Sequence, residues 1–389
     1  KGGGRGNPRF HKSRGNMARN LLIAQSGGPT AVINATLSGI LEEGLLSGEI
    51  DRIYGSCYGI QGLLEEKLLD LSQRIPELLQ RDFPGRSRED ALSRFLQRLS
   101  KTPAAALGSC RYKLEDPSEL ERILELFRKY GISYFIYIGG NDSMDTTDKL
   151  SRYFAQVESA IRVVGVPKTI DNDLEGTDHT PGFGSAARFV ALVTAELTRD
   201  GGVYNTKNVT FIEAMGRDAG WLTAAGALAQ DICGTAPDFV LLPEVPLDEN
   251  TLLSAIEQRL REKNNVIVVV SEGVHHVDGS FLFDAKSIAI DTFGHLAAQS
   301  GTAQYLSQLV KNQLGVKSRG IELSTLQRCA SHAASKVDMD EAEALGAAGV
   351  EAVLQGKTGV MVGVHRISNE PYTTEIRTTP VADVANMVK

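Results

Sequence analysis

The feature that most constrains this chain is a series of short, β-rich apolar runs separated by helical patterns. The runs cover residues 21–24, 133–138, 162–166, 209–214, 239–242 and 266–270. Most are apolar throughout rather than at every second position, as in strands covered by helices on both faces. Their alternation with helices predicts a wound α/β architecture with parallel sheets. One helix is legible residue by residue. Asp116 caps it, Pro117 occupies its first turn, Leu120, Ile123, Leu124 and Phe127 mark one face, and Gly131 ends it. The strand that follows, ending at Ile138, runs straight into Gly139-Gly140-Asn141-Asp142-Ser143.

A length of 389 residues leaves room for two or three domains. The formal charge of −7 argues against sequence-independent binding of nucleic acid, which needs clustered cations, but not against small phosphorylated ligands. No apolar run has the length that spans a bilayer, so no membrane association is expected. Cys57, Cys110, Cys233 and Cys329 are scattered and form no CxxC pair, which reads as four reduced thiols in a cytoplasmic protein. Residues 1–16, rich in Gly, Arg and Lys, read as a tag or disordered arm. Residues 71–103 read as a polar helical insertion. Residues 338–343 read as the start of a solvated helix, and Trp221 as a residue packed beneath the loop before it.

Ligands of open α/β sheets gather at the carboxyl ends of strands, where helix N-termini present their N–H groups. Five such ends here carry unusual residues: Ser26-Gly27-Gly28, 139–143, 167–173, 215–218 and Ser271-Glu272-Gly273. The first is neither a Walker A loop nor a GxGxxG fingerprint, and alone it fits a tight turn as well as a phosphate cradle. In the second, Asp142 fits a helix cap as well as a functional carboxylate. Pro167-Lys168-Thr169-Ile170-Asp171-Asn172-Asp173 is the most informative. Two carboxylates two residues apart, beside a lysine, suit phosphoryl transfer: one group deprotonates the attacking hydroxyl, and cations neutralise the transferring oxygens. The spacing fits an Asx-rich turn equally well.

The chain resembles the phosphofructokinases. Their catalytic segment reads P-[GK]-T-I-D-N-D, and Pro167 to Asp173 match it at every position. The resemblance runs from about residue 20 to 355. It takes in Ser26-Gly27-Gly28 through Asn34, Gly108-Ser109 with Arg111, residues 139–143, Thr180 with Gly182-Phe183, and Glu213 to Arg217 with Gly220. It continues through Glu272-Gly273, Arg319, Leu323 and Gln327-Arg328. It implies two Rossmann-like α/β/α domains with parallel sheets and the active site between them. The expected domains are residues 17–184 plus about 329–365 for the phosphoryl donor, and about 185–328 plus 366–389 for fructose 6-phosphate.

By the same resemblance, Asp171 is the general base for the sugar's C1 hydroxyl. Thr169, Ile170, Met215, Gly216, Arg217, Glu272, Arg319, Thr325, Gln327 and Arg328 join it in binding fructose 6-phosphate. Arg111 bridges the two phosphates, Gly27 and Gly28 cradle the donor, and Asn141 with Asp173 places Mg²⁺. ATP-dependent members carry Gly-Gly-Asp-Gly-Ser and Pro-Gly-Thr-Ile-Asp, whereas Asp142 and Lys168 here follow the pyrophosphate-dependent members. A carboxylate at Asp142 would intrude where a nucleotide's α-phosphate must lie, and Lys168 would supply charge to a compact donor.

Several positions depart from the family. Asn141 replaces the usual Asp, Ala31-Val32 replaces Pro-Gly, Thr325 replaces a His or Tyr, and Asn208 stands where bacterial ATP-dependent members supply an arginine across a subunit interface. The expectation is a homodimeric or homotetrameric enzyme that transfers a phosphoryl group from pyrophosphate to fructose 6-phosphate. Its rivals are an ATP-dependent or mixed-donor kinase, a non-catalytic subunit that binds sugar phosphate, and an enzyme acting on another sugar phosphate such as sedoheptulose 7-phosphate.

Overall fold

The computed structural model describes residues 18–282, 301–387 and 389. The expected arm at 1–16 lies outside the described residues. In chain order the strands are β1 (Asn20–Gln25), β2 (Ile53–Ser56), β3 (Leu68–Asp70), β4 (Ile132–Gly139), β5 (Arg162–Pro167), β6 (Asn208–Ala214), β7 (Phe239–Leu241), β8 (Asn265–Ser271), β9 (Lys317–Glu322), β10 (Val360–Asn369) and β11 (Tyr372–Pro380). The helices are α1 (Ile33–Leu46), α2 (Gly59–Leu64), α3 (Leu71–Asp82), α4 (Arg88–Ser100), α5 (Pro117–Tyr130), α6 (Asn141–Gln156), α7 (Phe183–Gly201), α8 (Trp221–Ala225), α9 (Ala229–Cys233), α10 (Glu249–Glu262), α11 (Thr302–Leu314), α12 (Leu326–Cys329) and α13 (Lys336–Leu354).

The strands form two sheets. The larger has the order β11-β10-β5-β4-β1-β2-β3, and the smaller β7-β8-β6-β9. Every pairing is parallel except β2 with β3 and β10 with β11, so the expected parallel sheets carry antiparallel additions at both edges of the larger one. Continuous apolar runs follow from cover on both faces. Leu21 and Ile23 of β1 join Ile136 and Ile138 of β4 in a core beneath α1 and α13. The intervening Leu22 and Ala24 join Phe135 and Tyr137 beneath α2, α5 and α6. Each fully buried aliphatic or aromatic side chain of this kind stabilises the fold by about 1.5–3 kcal/mol.

The legible helix forms as its sequence dictates. The Asp116 carboxylate accepts from the Ser118 N–H, Pro117 opens α5, and Gly131 ends it in the left-handed region at φ 62°. Residues 71–103 form α3 and α4, with Leu71, Ile75 and Leu79 buried.

Two expectations are corrected. Residues 366–389 were expected in the fructose 6-phosphate domain, but β11 pairs back onto β10 from Val360↔Pro380 to Asn369↔Tyr372 and so extends the larger sheet. A tight connection leaves an antiparallel hairpin, not a crossing to the other sheet, as the available partner. The start of α13 is not solvated throughout. Asp338 is buried and accepts from the Gly182 and Ser185 N–H groups, at 2.9 and 2.8 Å, and from the Ser185 hydroxyl at 2.5 Å. It thereby caps α7 from another helix. No described helix is long and apolar enough to cross a membrane.

Candidate active site

Strand register brings the unusual loops together. Gln25 of β1 pairs with Ile138 of β4, and Gly139 pairs with Pro167 of β5, so three loops leave the larger sheet at one level. On the smaller sheet Ala214 pairs with Ser271 and Glu213 with Glu322. The carboxyl ends of both sheets border one cavity of about 450 Å³. Of the expected site residues, Gly27, Gly28, Arg111, Asn141, Asp142, Lys168, Thr169, Ile170, Asp171, Asp173, Met215, Arg217, Glu272 and Arg328 line it.

The loop after β5 shows why two aspartates need an asparagine between them. Asn172 is buried and left-handed, with φ 58°, and its side-chain oxygen accepts from the Thr180 N–H at 3.1 Å. The Thr180 hydroxyl in turn donates to the Thr169 carbonyl at 2.9 Å. With Asn172 turned inward, Asp171 and Asp173 both reach the cavity wall. Lys168 ties the loops after β1 and β4 into one floor: its N–H donates to the Gly139 carbonyl at 2.9 Å, and its buried ammonium donates to the Gly28 carbonyl at 2.7 Å. The Asn34 amide donates to the Thr102 and Ala104 carbonyls and accepts from the Ala106 N–H, so it holds the segment at 102–106 against α1.

Burial sets the electrostatics. It raises the Asp171 carboxyl to about 6, with the negative charge of Asp173 adding to the effect. It lowers the Lys168 ammonium to about 8; Asp171 opposes that shift, while Arg328 and Arg111 reinforce it. Burial, then Asp171, raises Glu272 to about 7. Asp173 is raised by burial as well, and its Oδ1 is buried without a hydrogen-bond partner. The cavity therefore holds a carboxylate poised near neutral pH beside one buried cation, Lys168, an arrangement suited to deprotonating a hydroxyl next to a polyanion.

The family model for phosphofructokinase matches residues 20–353. This chain belongs to the phosphofructokinase family. It is 40% identical over 377 residues to the pyrophosphate–fructose 6-phosphate 1-phosphotransferase of Halomonas elongata, a match covering 95% of this chain and 85% of that protein. It is also 40% identical to the enzyme of the same name from Methylococcus capsulatus, over 96% of this chain and 86% of that one. Among solved structures it is similar to the pyrophosphate-dependent phosphofructokinase of Nitrosospira multiformis, with a TM-score of 0.81 and 38% identity, covering 96% of this chain and 85% of that chain.

Within this phosphofructokinase some expected site residues fall elsewhere. Arg319 is exposed on β9, whose period of two buries Ser318 and turns Arg319 outward, into a small groove with Tyr204 and Lys317. Thr325 is exposed ahead of α12. Gln327 faces the interior, with both amide atoms buried and unpartnered. Gly216 shapes the wall through its backbone, since its carbonyl accepts the Ser271 hydroxyl at 2.7 Å.

Asn141 lines the cavity, but its amide is engaged. Its oxygen accepts from the Asn386 N–H at 2.7 Å, and its nitrogen donates to the Met387 carbonyl at 3.1 Å, so it anchors the C-terminal segment. Trp221 is largely exposed, with the Lys389 ammonium 5.9 Å from its ring centroid. Tyr112, Asp218 and Asn386 line the cavity without having been singled out as site residues. Asp218, one position past the Met-Gly-Arg segment, was the most findable. Asn386 left no local signal, because only the return of the chain brings it there.

Proposed function

We propose that this phosphofructokinase transfers a phosphoryl group from pyrophosphate to the C1 hydroxyl of fructose 6-phosphate, giving fructose 1,6-bisphosphate and phosphate. The observation that carries the donor assignment is Lys168, whose buried ammonium reaches the Gly28 carbonyl while its own N–H holds the Gly139 loop. It places a cation beneath the donor at the floor of the cavity. Asp142, in the first turn of α6, adds bulk and negative charge on the same wall, where a nucleotide's next phosphate would lie. The names of the relatives above agree with this choice of donor.

Asp171 accepts the proton of the C1 hydroxyl as that oxygen attacks the terminal phosphorus of pyrophosphate. The bond to the bridging oxygen breaks, and phosphate leaves. General base catalysis of this kind is worth about 10²–10⁴ in rate. Thr169 orients the loop, since its hydroxyl accepts from the Asp171 N–H at 3.1 Å. Arg111 and Lys168 neutralise charge on the transferring oxygens, and Arg217 with Glu272 faces the sugar.

A magnesium ion fits the acidic part of the wall. Asp173 has a buried oxygen without a partner, and the carboxylates of Asp171 and Asp218 lie close enough to act on it or on each other. Asp173 would hold the ion together with pyrophosphate oxygens and water, because Mg²⁺ commonly takes one or two carboxylates plus substrate phosphates. The Asn141 oxygen, committed to the Asn386 N–H, is not proposed as a ligand. The ion would supply charge neutralisation on the phosphates.

The outward position of Arg319 on an edge strand supports a homodimer or homotetramer in which that residue serves a neighbouring copy's sugar phosphate. Four free cysteines are consistent with a cytoplasmic enzyme.

The test is a coupled assay of the purified chain with fructose 6-phosphate, Mg²⁺ and pyrophosphate, free of nucleotide. Sustained formation of fructose 1,6-bisphosphate is expected, together with the reverse reaction in phosphate. No product with pyrophosphate from protein that turns over ATP would overturn the proposal.

A further inference from the structure

The loop that carries Asp171 and Asp173 is fastened from behind by Thr180. The Thr180 N–H donates to the Asn172 side chain at 3.1 Å, and its hydroxyl donates to the Thr169 carbonyl at 2.9 Å. Asp171 lies between these two anchors in the chain, and Asp173 follows the second. What places Thr180 therefore places both carboxylates. The residues just before it are tied to β10: the Asp178 N–H donates to the Val364 carbonyl at 2.7 Å, and the Thr177 hydroxyl accepts from the Val364 N–H at 3.0 Å. Beyond it, Asp338 fixes the start of α7. Between these two holds stands His179.

His179 is gripped by two carboxylates. Its Nδ1 is 2.9 Å from the Asp178 Oδ1, and its Nε2 is 2.6 Å from the Glu341 Oε2 on α13. A neutral imidazole has one N–H and one lone pair, whereas an ionised carboxylate only accepts. Both contacts are satisfied together when the ring is an imidazolium donating from each nitrogen. The His179 and Glu341 side chains are 14% and 13% exposed, which shelters the pair from water. Burial alone would lower the imidazole's proton affinity, but the bonds to Glu341 and Asp178 outweigh it and raise it. The grip is itself supported. The other Glu341 oxygen accepts from the Tyr372 hydroxyl at 2.6 Å and the Thr374 hydroxyl at 3.2 Å on β11, and Arg366 of β10 donates to Asp178 at 2.8 Å. Asp338 faces the same imidazole, whose charge steadies its carboxylate.

We propose that His179 is a positioning residue for phosphoryl transfer: as an imidazolium clasped by Asp178 and Glu341, it fixes Thr180 and so holds the loop that presents Asp171 and Asp173. This inference rests on reading Asp171 as the general base of the reaction above. Among the described residues that line the cavity His179 is not found, so it acts through its neighbours and not on substrate. Its loss should slow the chemical step more than it weakens binding. Lys168 is held separately, by the Gly28 and Gly139 carbonyls, and Arg217 and Glu272 stand on the other wall. A small misplacement of a reacting group is costly, since about 1 Å can remove about 100-fold in rate.

The experiment joins steady-state kinetics to nitrogen NMR of histidine-labelled protein, for wild type, His179→Gln and the double variant His179→Gln with Glu341→Gln. Circular dichroism checks the fold of each. In wild type the His179 signals, identified by their loss in the variants, are expected to show both ring nitrogens protonated near neutral pH. His179→Gln is expected to lower kcat about 10- to 100-fold while KM for either substrate changes less than about threefold. The double variant leaves no carboxylate facing residue 179 from α13 and lets two amides pair, so it is expected to recover kcat at least about threefold over the single. A neutral imidazole in wild type, unchanged kcat in a folded His179→Gln, a loss carried by KM alone, or a double variant no faster than the single overturns the inference. If the single variant does not fold, the double is compared with wild type: kcat lower by about threefold or more at similar KM supports the inference, and equal kcat overturns it. Wild type that turns over ATP but not pyrophosphate overturns the donor assignment alone, and the same comparison made with ATP decides this inference. Wild type inactive with either donor overturns both.

Discussion

The two walls of the cavity are built by different means. On the donor wall, three loops leave adjacent parallel strands at one level, and the backbone carbonyls of Gly28 and Gly139 are tied to a single buried lysine. The acceptor wall depends on buried carboxylates. Glu272 faces the cavity, and behind it Glu213 accepts from the Ala303 N–H at 2.8 Å, burial having raised its carboxyl to about 7. The donor wall is assembled within one chain, whereas Arg319, assigned by family resemblance to the acceptor, points outward. The proposed selection of the donor is therefore local, a matter of two side chains, Asp142 and Lys168, that line one cavity with the loops around them.

The largest effect should come where the walls meet. Asp171→Asn should reduce kcat by about 10²–10⁴, with both substrates still binding, because it removes the base but keeps the shape. Coupled kinetics and calorimetry on the same variant separate the two; unchanged turnover would remove Asp171 from the chemistry.

Next in size is the donor wall itself. Replacing Asp142 and Lys168 together by glycine should lower kcat/KM for pyrophosphate by about 100-fold or more, since a buried cation beneath the transferring group is lost. Some turnover with ATP should appear in steady-state assays with each donor. A double variant that still prefers pyrophosphate would show that the donor is selected elsewhere.

The pH profile sharpens the contrast further. The Asp171 carboxyl, raised to about 6, must be ionised to act, so kcat/KM should fall as pH drops through about 6. The Lys168 ammonium, lowered to about 8, must stay charged, so the rate should also fall as pH rises through about 8. Glu272 lies close to Asp171, so the acid limb belongs to the pair. In a Lys168→Arg variant the alkaline limb should move beyond the measured range, because a guanidinium stays charged there.

The smallest effect lies behind both walls. Asp338→Ala removes the acceptor that caps α7 and should cost about 1–3 kcal/mol, read as a lower urea midpoint, with kcat nearly unchanged. Lost activity at unchanged stability would give Asp338 a part in the chemistry.

Much of the donor wall was legible in the sequence because its chemistry is contiguous. Strand, turn and functional residue follow one another within residues 132–143 and 162–173, and the strand patterns placed both loops at strand ends. What the sequence left hidden depends on chain segments that meet only on folding. Asp338 reads as part of a charged helix start until α13 docks on α7. Asn141 reads as a metal ligand until residues 386 and 387 return to occupy its amide. Arg328 carries a phosphate-binding residue type, but only folding shows it beside Gly28, some 300 positions earlier in the chain. Arg319 sits in a motif, yet the outward side of an edge strand, fixed by pairing with β6, takes it out of the cavity.

The most direct measurement compares kcat/KM for pyrophosphate and for ATP in the wild-type protein, at saturating fructose 6-phosphate and with Mg²⁺ in excess. Rapid formation of fructose 1,6-bisphosphate with pyrophosphate and little or none with ATP is the result expected from a cavity floored by Lys168 and walled by Asp142. Equal use of both donors, or preference for ATP, would contradict it.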